Sequence, residues 1–283
     1  MKNHFLVFAI VFFIAGTTRA QVELPRLSPS ASVSQTLGYT IITIDYCRPG
    51  VKERTIWGGL VPYNQVWRTG ANEATTIQFT TDVKIEGNKV PAGKYSLFTI
   101  PTKNDWTIIF NKVDKQWGAF NYKQEDDLLR FKIKPEKGNF TERLQFSFSN
   151  LTNNAVDVFI TWETMQIVFR VEVDLTNQVH AKINEAIAAK PDNWQVYTES
   201  ANYAADNEMF LDEALRWIGK AISLDGAYYP YFVKAKILFK KNDFYEALKT
   251  LEKCRDAGQS DKNYQSFVAQ VDFLENKIKT KMK

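Results

Sequence analysis

VDVFITWETMQIVFRVEVDLTNQVHAKINEAI, residues 156–187, changes its period part-way along, and that change decides the fold class. Up to Val173 apolar residues recur at every second position, first at Val156, Val158, Ile160 and Trp162, then at Ile167, Phe169, Val171 and Val173. That is the pattern of strands with one buried face. After Asp174 the spacing becomes helical, with Val179, Ile183, Ala186 and Ile187 on one stripe and Pro191 to stop it. Strands segregated from helices make an α+β chain.

Working upstream, the same alternation recurs at Ile42/Ile44/Tyr46, Ile77/Phe79, Val83/Ile85, Tyr95/Leu97, Trp106/Ile108/Phe110, Leu129/Phe131/Ile133 and Leu144/Phe146/Phe148. Turn signals such as Glu86-Gly87-Asn88 and Pro91-Ala92-Gly93 separate the runs. Eight or nine strands with no helical pattern between them predict an antiparallel β-sandwich or jelly-roll-like domain over 21–174. The lead VELPRLSPSASVSQ, residues 22–35, is expected to be extended and to pair with a sheet edge.

Downstream, helices are predicted from Leu175, then over 192–206, 209–223, 227–241, 243–256 and 260–280. Leu211, Ala214, Leu215, Ile218 and Ala221 return as Phe244, Ala247, Leu248, Leu251 and Cys254, a spacing of 33. Small residues at close helix contacts with this period predict a tetratricopeptide-like array over 175–283. A generic stack of helical hairpins fits the same pattern.

Residues 1–20 read as a secretory signal peptide, with Lys2, an apolar run from Phe5 to Gly16, and Thr18-Arg19-Ala20 as the cleavage site. The run is shorter than the ~20 residues a membrane span needs. Export to the periplasm or the exterior, with Gln21 as the new end and no integral membrane segment after cleavage, is the expectation. The 263 residues that remain carry 34 basic and 32 acidic side chains. So small a net charge argues against nucleic acid as a partner. Two cysteines, Cys47 and Cys254, are too few for a disulfide framework and are not expected to pair.

The functional weight falls on DYCRPGVKERTIWGGLVPYNQVWRTGANEATTIQF, residues 45–79. Its glycines and prolines make it a loop, and loops carried by a rigid scaffold are where binding and chemistry concentrate. Histidine limits the chemistry: only His4 and His180 exist, so the β domain after cleavage has none. No Ser-His-Asp or Cys-His pair and no histidine-bound metal can form there. His180 is expected to be a surface or packing residue, and Cys47 a small buried hydrophobe. No metal site, cofactor or catalytic residue is predicted, and Glu125-Asp126-Asp127 lacks the spacing of a calcium loop and reads as solvated.

Two readings of the loop stay open. Arg48, Arg54, Trp57, Trp67, Arg68, Asn72, Glu73 and Trp117 can line a pocket for a small polar or carbohydrate-type ligand, an apolar site with a few orienting polar groups. Alternatively the guanidinium groups stack on Trp faces, and Glu73 pairs with Arg48, Arg54 or Arg68, to tie a long loop down. Trp106, in strand alternation, is expected in the core. Glu73 with Asp45 or Glu53 is the carboxylate pair that a glycoside hydrolase-like enzyme would need.

Arg48-Pro49-Gly50, Trp57-Gly58, Trp67-Arg68-Thr69-Gly70-Ala71-Asn72-Glu73-Ala74, Val90-Pro91-Ala92-Gly93-Lys94-Tyr95 and Gln116-Trp117-Gly118 occur in that order. In these motifs the chain, from about Leu27 to Val173, closely resembles the bacterial family catalogued as domain of unknown function 2911. Cys47 departs from the Ser common at its position in that family, which speaks against a cysteine-dependent activity. The resemblance implies an exported β domain, often followed by helical repeats, with no established activity or ligand. The resulting expectation is an exported non-catalytic binding module whose helical tail contacts a protein partner. A carboxylate-based hydrolase and a structural or assembly protein of the cell envelope are the alternatives.

Overall fold

The computed structural model describes residues 24–225 and 227–283. The expected signal segment lies outside the described residues. Among the described residues ten strands form two antiparallel sheets. The larger contains β1 (Ser30–Leu37), β2 (Thr40–Cys47), β3 (Thr76–Phe79), β6 (Gly93–Pro101), β7 (Trp106–Asn111) and β8 (Asp127–Ile133), in the order β1-β2-β3-β6-β7-β8. The smaller contains β4 (Val83–Ile85), β5 (Asn88–Val90), β9 (Glu136–Ser149) and β10 (Ala155–Glu172), in the order β5-β4-β10-β9. Both sheets feed one hydrophobic cluster, with Ile42, Ile44, Phe79 and Phe110 from the larger against Phe146, Val158, Ile160 and Phe169 from the smaller. Phe110 joins the layers: its ring lies 6.4 Å from Phe79 in its own sheet and 5.9 Å from Phe169 in the other. Each such fully buried side chain contributes on the order of 1.5–3 kcal/mol as an upper estimate.

The lead pairs as expected, becoming the edge strand β1 along the whole of β2 from Ser30↔Cys47 to Leu37↔Thr40. One strand expectation is corrected. Residues 155–172 form a single 18-residue strand instead of two. The apolar positions shift from even numbers (Val156 to Trp162) to odd ones (Ile167 to Val173). β10 absorbs the shift in register irregularities between Thr161 and Met165, where Glu163 has φ 56°. A bulge inserts an extra residue and restores the inward phase without ending the strand. The β4–β5 hairpin turns on Glu86 (φ 48°) and Gly87 (φ 78°), the two positive φ values a primed two-residue turn requires.

Six helices follow among the described residues: α1 (Leu175–Ala189), α2 (Trp194–Asp206), α3 (Leu211–Asp225), α4 (Tyr228–Lys240), α5 (Phe244–Gly258) and α6 (Val268–Lys281). Asp174, Asn193 and Asp243 cap α1, α2 and α5 through side-chain oxygens that accept backbone N–H groups. The positions that echo at 33 residues share one environment: Ala214, Ile218 and Ala221 on α3, like Ala247, Leu251 and Cys254 on α5, are fully buried. The expected helix over 260–280 starts later, because the Asp261 carboxylate accepts the Asn263 N–H (2.8 Å) and a 3-10 turn at Tyr264–Ser266 intervenes.

The first helix is tied to the sheet. Leu175 packs against the sheet core and the first helical core alike. The Gln178 amide donates to the Thr40 and Thr81 hydroxyls at 3.1 and 2.9 Å. Gly38 (φ 58°) makes room, since a Cβ there would sit 2.8 Å from Leu175 Cδ1. No helix of the described residues is long and apolar enough to cross a membrane.

Candidate functional site

The segment between β2 and β3 divides its aromatic residues by depth. Trp67 exchanges backbone hydrogen bonds with Thr99 on β6 (2.8 and 2.9 Å), which sets its indole inward. There Trp57, Trp67, Trp106 and Trp162 pack on one another: Trp57 lies 4.7 Å from Trp106, and Trp67 stacks on Trp162 at 5.8 Å and 19°. Trp67 Nε1 donates to Gly70 O at 3.1 Å, whereas Nε1 of Trp57, Trp106 and Trp162 is buried with no partner. Indole meets indole. Among the described residues the one cation over a ring is Lys277 on Phe273, so the stacking of arginines on tryptophans, one of the two readings left open by the sequence, is not found.

The arginines are used in other ways. Arg48 Nε donates to Leu144 O (3.0 Å), joining the end of β2 to β9. Arg54 donates to Val51 O and Gly50 O (3.1 and 2.6 Å), closing its own turn. Asn72 Nδ2 donates to Ser28 O (3.3 Å), holding the lead strand down. Glu73 pairs with none of Arg48, Arg54 or Arg68. It takes both oxygens to Arg26 Nη1 at 2.9 and 2.8 Å.

That ion pair lies at one end of a groove of about 710 Å³ on the outer side of the larger sheet. Asp45 and Cys47 alternate with the inward Ile44 and Tyr46 along β2, which puts them on that outer side. Residues 116–118 close the groove, with Ala74 N–H donating to Gln116 O (2.9 Å) and Gly118 N–H to Asn72 O (3.0 Å). Trp117, 58% exposed, is the groove's aromatic wall. Gln116 is held from behind: its two amide N–H groups donate to Asn111 Oδ1 (3.1 Å) and Val113 O (2.8 Å). That fixes Oε1 as the remaining acceptor, and it is buried without a partner.

Both carboxylates are held ionised. For Glu73 the hydrogen bond from its own backbone N–H, outweighing burial and joined by Arg26, keeps the acid below its usual range. Burial pushes Asp45 up, but the Ser32 hydroxyl (2.7 Å) and Lys94 ammonium (3.0 Å) together carry it below. The Cys47 thiol donates to Glu73 Oε2 at 3.6 Å. Among the described residues no three His, Cys, Asp or Glu are arranged to hold a metal ion.

Of the eight residues picked out in the sequence, Glu73 and Trp117 meet in this groove. Arg54, Trp67, Arg68 and Asn72 line a second cavity, of about 470 Å³, and Arg26 borders both. Arg48 and Trp57 line neither. The sequence reading missed Arg26, in a Pro/Ser-rich lead with no distinguishing pattern, and Gln116, whose place beside Trp117 in the Gln-Trp-Gly motif was the available signal. It also read Asp127 as solvated. The Asp127 side chain is 6% exposed and accepts from Tyr122 Oη (2.6 Å) and Asn111 Nδ2 (2.9 Å), bracing the same loop from below. His180 packs at the helical surface, its Nε2 2.9 Å from Glu213 Oε2, and both cysteines are free and buried.

Two antiparallel sheets around one core, with a groove on an outer face, define a β module followed by helices. By sequence the chain belongs to the family described as "Protein of unknown function (DUF2911)", whose model matches residues 28–171. The match runs from just before β1 to the last residue but one of β10 and includes every loop residue named above except Arg26. No curated protein and no solved structure matches the chain.

Proposed function

We propose that the chain is an exported, non-catalytic binding module whose 710 Å³ groove takes a small polyhydroxylated ligand of carbohydrate type. One juxtaposition carries the reading: an exposed indole, Trp117, beside a buried and unpartnered acceptor, Gln116 Oε1, with the ionised Glu73 and Asp45 in the same groove. A sugar ring offers an apolar face for an indole and hydroxyl donors for carboxylate and amide oxygens. Arg26 and Lys94 leave Glu73 and Asp45 as acceptors. A glycoside hydrolase needs one carboxyl raised to act as acid, and both are lowered here, which favours binding over hydrolysis.

The helices are read as a tetratricopeptide-like array that contacts a protein partner. The supporting observation is a groove of about 580 Å³ between α4 and α6, where Phe273 is 62% exposed beside Lys236, Lys240 and Lys277. Phe273→Glu is expected to release whatever partner co-purifies.

The polyol reading is tested by calorimetric titration with a panel of neutral mono- and oligosaccharides. At least one is expected to bind, and Trp117→Ala to weaken it by about 10-fold or more, equivalent to ~1.4 kcal/mol. Equal binding by Trp117→Ala, or no binding across the panel, would remove the proposal.

A further inference from the structure

The second cavity, of about 470 Å³, has a different chemistry. Its walls include the apolar faces of Trp67, Trp162, Leu60 and Val61, and its charged groups are Arg26, Arg54 and Arg68. The Arg26 charge is met by Glu73. Arg54 is exposed, and it already donates to two carbonyls. Arg68 has neither arrangement. Among the described residues the arginines in ion pairs are Arg26, Arg130, Arg170 and Arg255. Arg68 makes no side-chain hydrogen bond to any described residue, and its Nε is buried without a partner. Burial also pulls its pKa below the ordinary arginine value.

A partly buried guanidinium with no counter-charge is costly. Its fixed fork of N–H donors matches a carboxylate in two parallel hydrogen bonds. One uncompensated charge calls for one negative charge, and the indole and aliphatic walls call for an apolar body attached to it. We infer that this cavity is a binding site for a small organic monoanion, its carboxylate on Arg68 with Arg54 at the rim and its apolar body against Trp67 and Trp162. The site is separate from the polyol groove and does not rest on that reading, since neither Trp117 nor Gln116 takes part.

The test uses the full chain and benzoate, with benzamide as the neutral isostere and inorganic phosphate as the anion without an apolar body. Tryptophan fluorescence reports directly, because two indoles line the cavity, and a thermal melt gives an independent reading. Benzoate is expected to give a saturable fluorescence change and raise the melting temperature, and benzamide and phosphate to bind at least 10-fold more weakly. Arg68→Gln is expected to weaken benzoate at least 10-fold. Should that variant fold poorly, Arg54→Gln, at an exposed position, is expected to weaken it about 3-fold. Benzamide or phosphate binding as tightly as benzoate, or undiminished benzoate binding in the folded variants, would overturn the inference.

Discussion

Arg26 stands between two cavities that treat charge in opposite ways. On its groove side two carboxylates have cations: Glu73 has Arg26 itself, and Asp45 has Lys94. On the other side Arg68 has no anion at all among the described residues. The aromatic residues divide the same way, with Trp117 exposed in the first and Trp67 and Trp162 buried under the second. A site whose paired carboxylates flank an exposed indole selects ligands by hydroxyl geometry and ring stacking. A site with one charge left over selects by charge. The two cavities are therefore suited to different chemical classes, although the segment between β2 and β3 contributes to both.

The strongest way to break this comparison is to ask whether the floor of the second cavity is truly core. Trp162→Ala removes an indole that is 2% exposed and stacked on Trp67, and it is expected to cost about 3–5 kcal/mol in urea unfolding. Trp117→Ala, at the exposed wall of the groove, is expected to change stability by less than about 0.5 kcal/mol. Similar costs for the two would show that the division by depth is wrong. A smaller effect sharpens the contrast in charge. Arg68→Met keeps the aliphatic stem and removes the unmatched guanidinium, so the ligand-free protein is expected to gain about 1 kcal/mol. A loss of stability would mean that Arg68 is a structural tie like Arg48.

The sequence carried the sheets well because strand alternation directly reflects one-sided burial, and the change of period after Asp174 falls between the end of β10 and the start of α1. It was weaker where the signal depends on pairing. The short β5 has three residues, too few to show a period, and the bulge in β10 looked like a strand break until the partner strand supplied the register. The loop's composition pointed to the right region but not to the side each residue faces. Trp67 is held inward by backbone bonds to Thr99 on β6, and Glu73 is paired across 47 residues with Arg26, which no local pattern announces. Gln116 became visible only through its partners, because an amide is remarkable when buried and unsatisfied, not when written in a sequence.

The smallest effect concerns the strap itself. Arg26 and Glu73 are each about half exposed, with side chains 53% and 48% accessible, so their ion pair is expected to contribute little, and less at high salt. Its sign with pH is fixed by the lowered acid. Glu73 is more acidic folded than unfolded, so its contribution is complete above the unfolded value, about 4.3, and is lost as pH falls through the lower folded value. Asp45 is lowered too and titrates with the same sign, so wild type alone cannot separate them. The difference between wild type and Glu73→Gln can: unfolding free energies by urea at several pH values should differ most near neutral pH and converge as pH falls through the lowered folded value. Amide exchange in residues 24–29 should quicken in the same window, because Glu73 is what holds Arg26 across the lead, while Asn72 and Arg48 go on binding the carbonyls of Ser28 and Pro29. A difference that persists unchanged into acid would mean that Glu73 acts through its contact with Cys47 and not through Arg26. Charge compensation would then no longer distinguish the groove from the cavity beside it.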